Sequence, residues 1–231
     1  MRLHRLIIIT LAAAWWGCSG SEEPICQKKW EVAAQRQSFA RIENGALTLS
    51  VTDPASDNDL KLIYPLDPDE NKPGTLLCKI NFENFNAGGN LSYDGFWAAS
   101  IAYQKDPATP LLKIKMWEKY VEITVGSNYY TREITNRQAR GQVVFTYGLA
   151  SAEPTVGAAE YNPANATQTL RGNGNLTFTN DPLVLVVEVG GSNFTPASPE
   201  ISLHLSEVAY AINKSIGTFT TETFDCNSLN N

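Results

Sequence analysis

Leu111-Leu112-Lys113-Ile114-Lys115-Met116-Trp117-Glu118-Lys119-Tyr120-Val121-Glu122-Ile123-Thr124-Val125 is the stretch that decides the fold. Its apolar residues recur at every second position, the period of a half-buried strand rather than of a helix. Leu112, Ile114 and Met116 share one face, opposite Lys113, Lys115 and Trp117, and Val121, Ile123 and Val125 repeat the pattern. With Glu118-Lys119 as a two-residue loop, Met116 faces Val121, Ile114 faces Ile123 and Leu112 faces Val125. On the other face Lys115 then meets Glu122, and Trp117 meets Tyr120. Each pair joins like with like, or cation with acid, which is how antiparallel strands stabilise one another. The segment predicts a hairpin.

The same alternation spreads in both directions. Ala46–Thr52 follows the turn Glu43-Asn44-Gly45, and Thr75–Glu83 puts Leu76, Cys78, Ile80 and Phe82 on one face. Further strands are expected at Gln142–Tyr147, Asn175–Thr179, Pro182–Val189 and Glu200–Ile212. In the last, Ile201, Leu203 and Leu205 share a phase that Val208, Tyr210 and Ile212 do not, so a bulge is expected near Ser206-Glu207. Many strands without helices predict an all-β fold, a two-sheet antiparallel β-sandwich. Residues 148–168, rich in Gly, Ala, Pro and Asn, read as a long loop within one domain spanning 26–231. Gly172-Asn173-Gly174 reads as a turn.

The chain has 231 residues, 43% hydrophobic and 18% charged, which excludes disordered and collagenous classes. A formal charge of −6 lacks the basic footprint of a nucleic-acid binder, so no nucleic-acid partner is expected.

Arg2 and Arg5 precede an apolar run, Leu6 to Trp16, too short for the ~20 residues that a membrane-spanning helix needs. Residues 1–17 therefore read as a signal peptide. Its end, Trp15-Trp16-Gly17-Cys18, resembles a bacterial lipobox, with Trp15 standing where that pattern prefers Leu. The resemblance implies a lipoprotein with Cys18 as the lipidated (palmitate-bearing) residue and 18–25 as a polar tether. It implies lipid anchoring at the outer membrane or cell surface, the alternative being a secreted protein. Loss of Arg2 and Arg5 would leave 16 basic against 24 acidic residues, or −8, so membrane contact would come from the lipid rather than from a basic patch. In an oxidising compartment Cys26 and Cys226 could pair, because they lie at the two ends of the folded region while Cys78 sits among core positions. Such a bridge would contribute on the order of 4 to 5 kcal/mol in the chain-entropy view.

An early Trp30, then Ile42–Leu49, Ile80–Phe85, Gly95–Tyr103, the Glu118-Lys119 hairpin and Ile201–Val208 follow one another in an order that resembles the concanavalin A-like, laminin G-like jelly-roll superfamily. The resemblance implies a jelly roll and, commonly, glycan binding, though fold does not fix function. The Glu-x-Asp-x-x-Glu pattern of that superfamily's β-glucan hydrolases is absent. Beyond residue 17 the sole histidine is His204, and Gly-x-Ser-x-Gly is absent. Glu188, alone in an apolar strand, reads as a paired structural acid. The expectation is therefore of a non-enzymatic module.

For ligand binding the candidates are Trp117, Tyr120 and Lys115, an exposed aromatic pair on a polar face suited to stacking on sugar rings. Tyr93, Asp94 and Trp97 form a second group, with core packing an equal reading for Trp97. Asn128, Tyr129 and Tyr130 form a weaker third. Asp53, Asp57 and Asp59 lie in an acid-rich loop whose oxygens could hold calcium, which takes about six to eight of them. No other cofactor is expected. The function read from the sequence is a non-enzymatic, lectin-like surface lipoprotein that binds a glycan. The alternative is a structural or assembly lipoprotein of the cell envelope that binds another protein.

Overall fold

The structure, a computed structural model, describes residues 30–34, 38–43, 45–52, 59–66, 74–88, 95–134, 139–149, 155–164, 169–191, 200–213, 218–222 and 224. Among them all regular structure is β. The strands are β1 Glu31–Ala34, β2 Ser38–Glu43, β3 Ala46–Val51, β4 Leu60–Leu66, β5 Leu76–Asn86, β6 Phe96–Tyr103, β7 Asp106–Met116 and β8 Tyr120–Val125. They continue with β9 Asn128–Glu133, β10 Gly141–Tyr147, β11 Val156–Pro163, β12 Leu170–Asn175, β13 Leu183–Gly190, β14 Ile201–Ile212 and β15 Thr220–Glu222. One sheet has the order β1-β4-β13-β6-β7-β8-β9, the other β12-β11-β10-β5-β14-β3-β2, with β15 alongside β14. Every pairing is antiparallel. The fold is the two-sheet antiparallel sandwich that the alternation predicts, with the jelly-roll character that the resemblance implies.

The deciding hairpin has the expected register: Met116 pairs with Val121, Lys115 with Glu122, Ile114 with Ile123 and Leu112 with Val125. Trp117 N donates to the Tyr120 carbonyl at 2.9 Å, which closes the Glu118-Lys119 loop. In β14 the register against β5 shifts between Leu205 and Glu207, so Ser206 is the extra residue of the bulge and both apolar phases point inward.

The core forms where the inner faces interlock. Phe82 of one sheet packs on Trp97 of the other at 4.7 Å between ring centroids. Trp30 meets Tyr64 at 4.8 Å, and Tyr147 stacks on Phe178 at 4.1 Å. Cys78 is buried as expected, and burial pushes its thiol up to about 12, so it is an inert filler.

Two expectations are corrected. The 148–168 stretch is not one long loop, because Val156–Pro163 forms β11 between β10 and β12. Gly172-Asn173-Gly174 is not a turn but the middle of β12. The small residues that suggested loops are required by close packing. A Cβ on Gly157 would stand 2.4 Å from Leu176 Cδ1, and one on Gly172 would stand 2.6 Å from the Tyr130 ring.

Candidate functional site

The outward face of the seven-stranded sheet is built in rows fixed by register. Lys61, Glu188, Ala98, Lys115 and Glu122 lie in one row across β4, β13, β6, β7 and β8. The row on one side runs through Val186, Ser100, Lys113 and Thr124. On the other side Gly190 pairs with Phe96, and Asp59 and Trp117 flank them just beyond the ends of β4 and β7. The centre is floored by short side chains: Ala98 and Ser100 point outward yet are buried. Longer charged and aromatic groups stand around that floor.

Asp59 and Glu188 meet there. Their carboxyl groups share a hydrogen bond, and Asp59 lies directly over Gly190. A Cβ on Gly190 would stand 1.6 Å from Asp59 Oδ1, so only glycine lets the carboxyl occupy this place. Burial above all, then the hydrogen bond to Glu188 and the repulsion of its charge, push the Asp59 carboxyl up from 3.8 to about 6, against the pull of Lys115 and Lys61. At that value Asp59 exchanges its proton near neutrality, as a general base or acid must.

Cations and rings complete the site. Lys113 Nζ lies 3.9 Å from Glu188 Oε2. Lys115 Nζ sits 3.6 Å over the Phe96 ring and 4.6 Å over that of Trp117, a cation–π clamp. Burial first, then the neighbouring Lys113 charge, hold the Lys115 ammonium below the usual lysine range, while Glu188, Glu122 and Asp59 oppose that shift. A desolvated cation so placed would gain from an anionic group of a ligand.

The sequence candidates divide accordingly. Lys115 and Trp117 belong to this face, and both are half-buried, as is Tyr120, rather than forming an open platform. Trp97 is fully buried against Phe82, and the ligand contact expected of it is corrected to core packing. Tyr129, at 58% exposure, is open; the half-open Tyr130 is tied to β12 through its hydroxyl, 2.6 Å from the Asn173 carbonyl. Asp59 is described and pairs with Glu188, while Asp53 and Asp57, the other two residues of the expected calcium loop, are not described. Among the described residues no three metal-ligating side chains gather. Cys18, Cys26, Cys226, Asp53, Asp57, Tyr93 and Asp94 lie outside the described residues.

The acid pair itself escaped the sequence reading, which set Glu188 down as structural. Its partner is far away in the chain and reaches it only through the β4–β13 pairing. The available signal was a lone acid in Leu183–Val189 followed by Gly190-Gly191.

No family model matches this sequence, and no curated protein is similar to it in sequence. Solved structures do match. The chain is similar to alginate lyase A1-II', a member of polysaccharide lyase family-7, with a TM-score of 0.53 and 13% identity over 81% of this chain and 96% of that one. It is similar to alginate lyase PA1167 from Pseudomonas aeruginosa, with a TM-score of 0.55 and 11% identity over 80% and 99%. It is also similar to arcelin-5, a lectin-like defence protein from Phaseolus vulgaris, with a TM-score of 0.53 and 12% identity over 82% and 95%. At such identities the likeness establishes the fold. The expectation of a non-enzymatic, lectin-like module is corrected at its ground: the same sandwich is built by alginate lyases as well as by a lectin-like protein, so the fold does not speak for a non-enzymatic role. The missing hydrolase pattern therefore excluded one chemistry and not enzymes at large.

Proposed function

We propose that this protein is a carbohydrate-active enzyme that cleaves an acidic polysaccharide by β-elimination on the outward face of the seven-stranded sheet. The observation that carries the reading is Asp59, set over Gly190 against Glu188, with its proton affinity raised toward neutrality beside a half-buried lysine. In a uronate residue the hydrogen on C5 lies next to the carboxylate, and it becomes removable once the carboxylate charge is neutralised. Lys115 supplies that neutralisation, with Lys113 alongside. Asp59 takes the C5 proton, the C4–C5 double bond forms and the C4–oxygen bond breaks. The proton then passes from Asp59 to the leaving oxygen, so that charge and atoms balance. Glu188 holds Asp59 in place and adds to the burial that raises its proton affinity. Trp117 and Phe96 offer faces for the sugar rings. The alginate lyases of the same fold support the substrate class.

The test is incubation with alginate and with pectate, both polyuronates, while following the ultraviolet absorbance of the unsaturated product. Absorbance should rise with at least one of them. Lys115→Ala should lower kcat/KM about ten- to a hundredfold, the worth of one charge-assisted contact. No unsaturated product from either polymer would refute the reaction.

The amino-terminal segment supports lipid anchoring at Cys18 as the location of this activity. Labelled palmitate should enter the product in a bacterial host and fail to enter Cys18→Ala. Label retained by Cys18→Ala would remove the anchor.

A further inference from the structure

The outward face of the eight-stranded sheet carries a second, unrelated arrangement. Register sets Asn162, Gln142, Asn81 and Glu207 in one row across β11, β10, β5 and β14. Gln142 Nε2 donates to Asn81 Oδ1 at 2.8 Å, and Asn81 Nδ2 donates to Glu207 Oε2 at 2.5 Å. Asn162 is held from the other side, donating to Glu160 Oε1 at 2.8 Å and accepting from Thr169 Oγ1 at 2.7 Å. Side chains fixed in this way lose little rotamer freedom when a ligand arrives, which removes a usual cost of binding.

The row borders a shallow cleft of ≈ 440 Å³ that Arg140, Glu83 and Ser206 also line. That size falls within the roughly 300–1,000 Å³ of small-ligand sites.

The lining chemistry selects the ligand. Amides both donate and accept, carboxylates accept, and each of these groups has hydrogen-bonding capacity beyond the bonds given above. Sugar hydroxyls, which also donate and accept, match that set. A polyanion does not, because Glu83 offsets the one arginine lining the cleft, and the Glu207 carboxylate stands next in the row, behind Asn81. We infer that this cleft is a second sugar-binding site, taking neutral sugar residues on the face opposite the acid pair. It would hold a polysaccharide chain without acting on it, and it does not depend on the reaction proposed for Asp59.

Native electrophoresis of the full chain through gels containing laminarin, mannan, xylan or alginate tests this. The protein should be retarded in at least one of the three neutral gels. Gln142→Ala or Glu83→Gln should weaken that retardation about tenfold, the worth of one hydrogen bond, while Asp59→Asn leaves it unchanged. Glu83→Gln keeps the side-chain shape and gives a reading even if Gln142→Ala perturbs folding, which near-ultraviolet circular dichroism reports. Three results would each overturn the site: no retardation in any neutral gel, retardation indifferent to both variants, or retardation lost in Asp59→Asn.

Discussion

Asp59→Asn is expected to lower kcat on a polyuronate by about a hundred- to ten-thousand-fold, the usual contribution of a positioned proton-transfer group. The fall should appear in kcat more than in KM, because an amide keeps the shape of the carboxyl and its place over Gly190 while being unable to take up the C5 proton. The pH dependence gives the assignment a second reading. Asp59 must be ionised to act as the base, and its carboxyl is pushed up to about 6. Wild-type kcat should therefore climb as pH rises through about 6 and level off above it. Glu188→Gln removes the charge that helps raise the Asp59 value and puts in its place an amide that can donate to the ionised carboxylate, so the same limb should move to lower pH. A limb that stays in place in Glu188→Gln would break the link between the two acids.

The same shift carries an opposite consequence for stability. A carboxyl whose value is raised by folding binds its proton more tightly in the folded chain than in the unfolded one. The folded state is therefore favoured while Asp59 is protonated and loses that advantage as pH rises from about 4 through 6. Asp59→Asn cannot ionise. Its thermal midpoint should be close to wild type at low pH and above it at neutral pH. An inactive variant more stable than its parent is the mark of a strained functional pair, whereas loss of a structural acid would lower the midpoint.

The hairpin of β7 and β8 was legible because its pairs lie next to one another in sequence. One assumed loop of two residues then fixed every partner from Leu112 to Val125. The bulge at Ser206 was legible for a similar reason, since a change of parity in a single strand needs no knowledge of its neighbours. β11 and β12 were not, because their inward positions are Gly157, Ala159 and Gly172, residues that sequence patterns assign to loops. What makes them strand residues is the bulk of Leu176 and Tyr130 opposite, which no local pattern carries. The site splits along the same line. Lys115 and Trp117 were found because their face is written in one strand. The Asp59–Glu188 pair was missed because its two halves meet only after β4 and β13 have paired. Trp97 carried two equal readings, ligand contact from its place beside a polar loop and core packing from its parity with Ile101, and the β6–β13 pairing decides for the second.

Trp97→Ala should accordingly destabilise the protein by about 3–5 kcal/mol, the range for removing a large buried ring whose cavity cannot close. In a chain of this size that lowers the thermal midpoint by about 6 to 20 °C. Trp97 is fully buried, and its ring lies 4.7 Å from that of Phe82, so it bridges the two sheets at their centre. Its indole N–H finds no hydrogen-bond partner among the described residues. The side chain thus stabilises the fold through area and ring contact, and its polar atom is a small cost. Trp97→Phe keeps a ring against Phe82 and deletes the unpaired donor, so it should lose much less than alanine. The two variants, compared by urea midpoint, separate packing from recognition. Should Trp97→Ala keep the wild-type midpoint and lose turnover instead, the side chain would belong to the ligand and the inward orientation of β6 would be wrong. The expected order, wild type above phenylalanine and phenylalanine well above alanine, follows from a residue whose role is to hold the sheet that carries Glu188 against the sheet behind it.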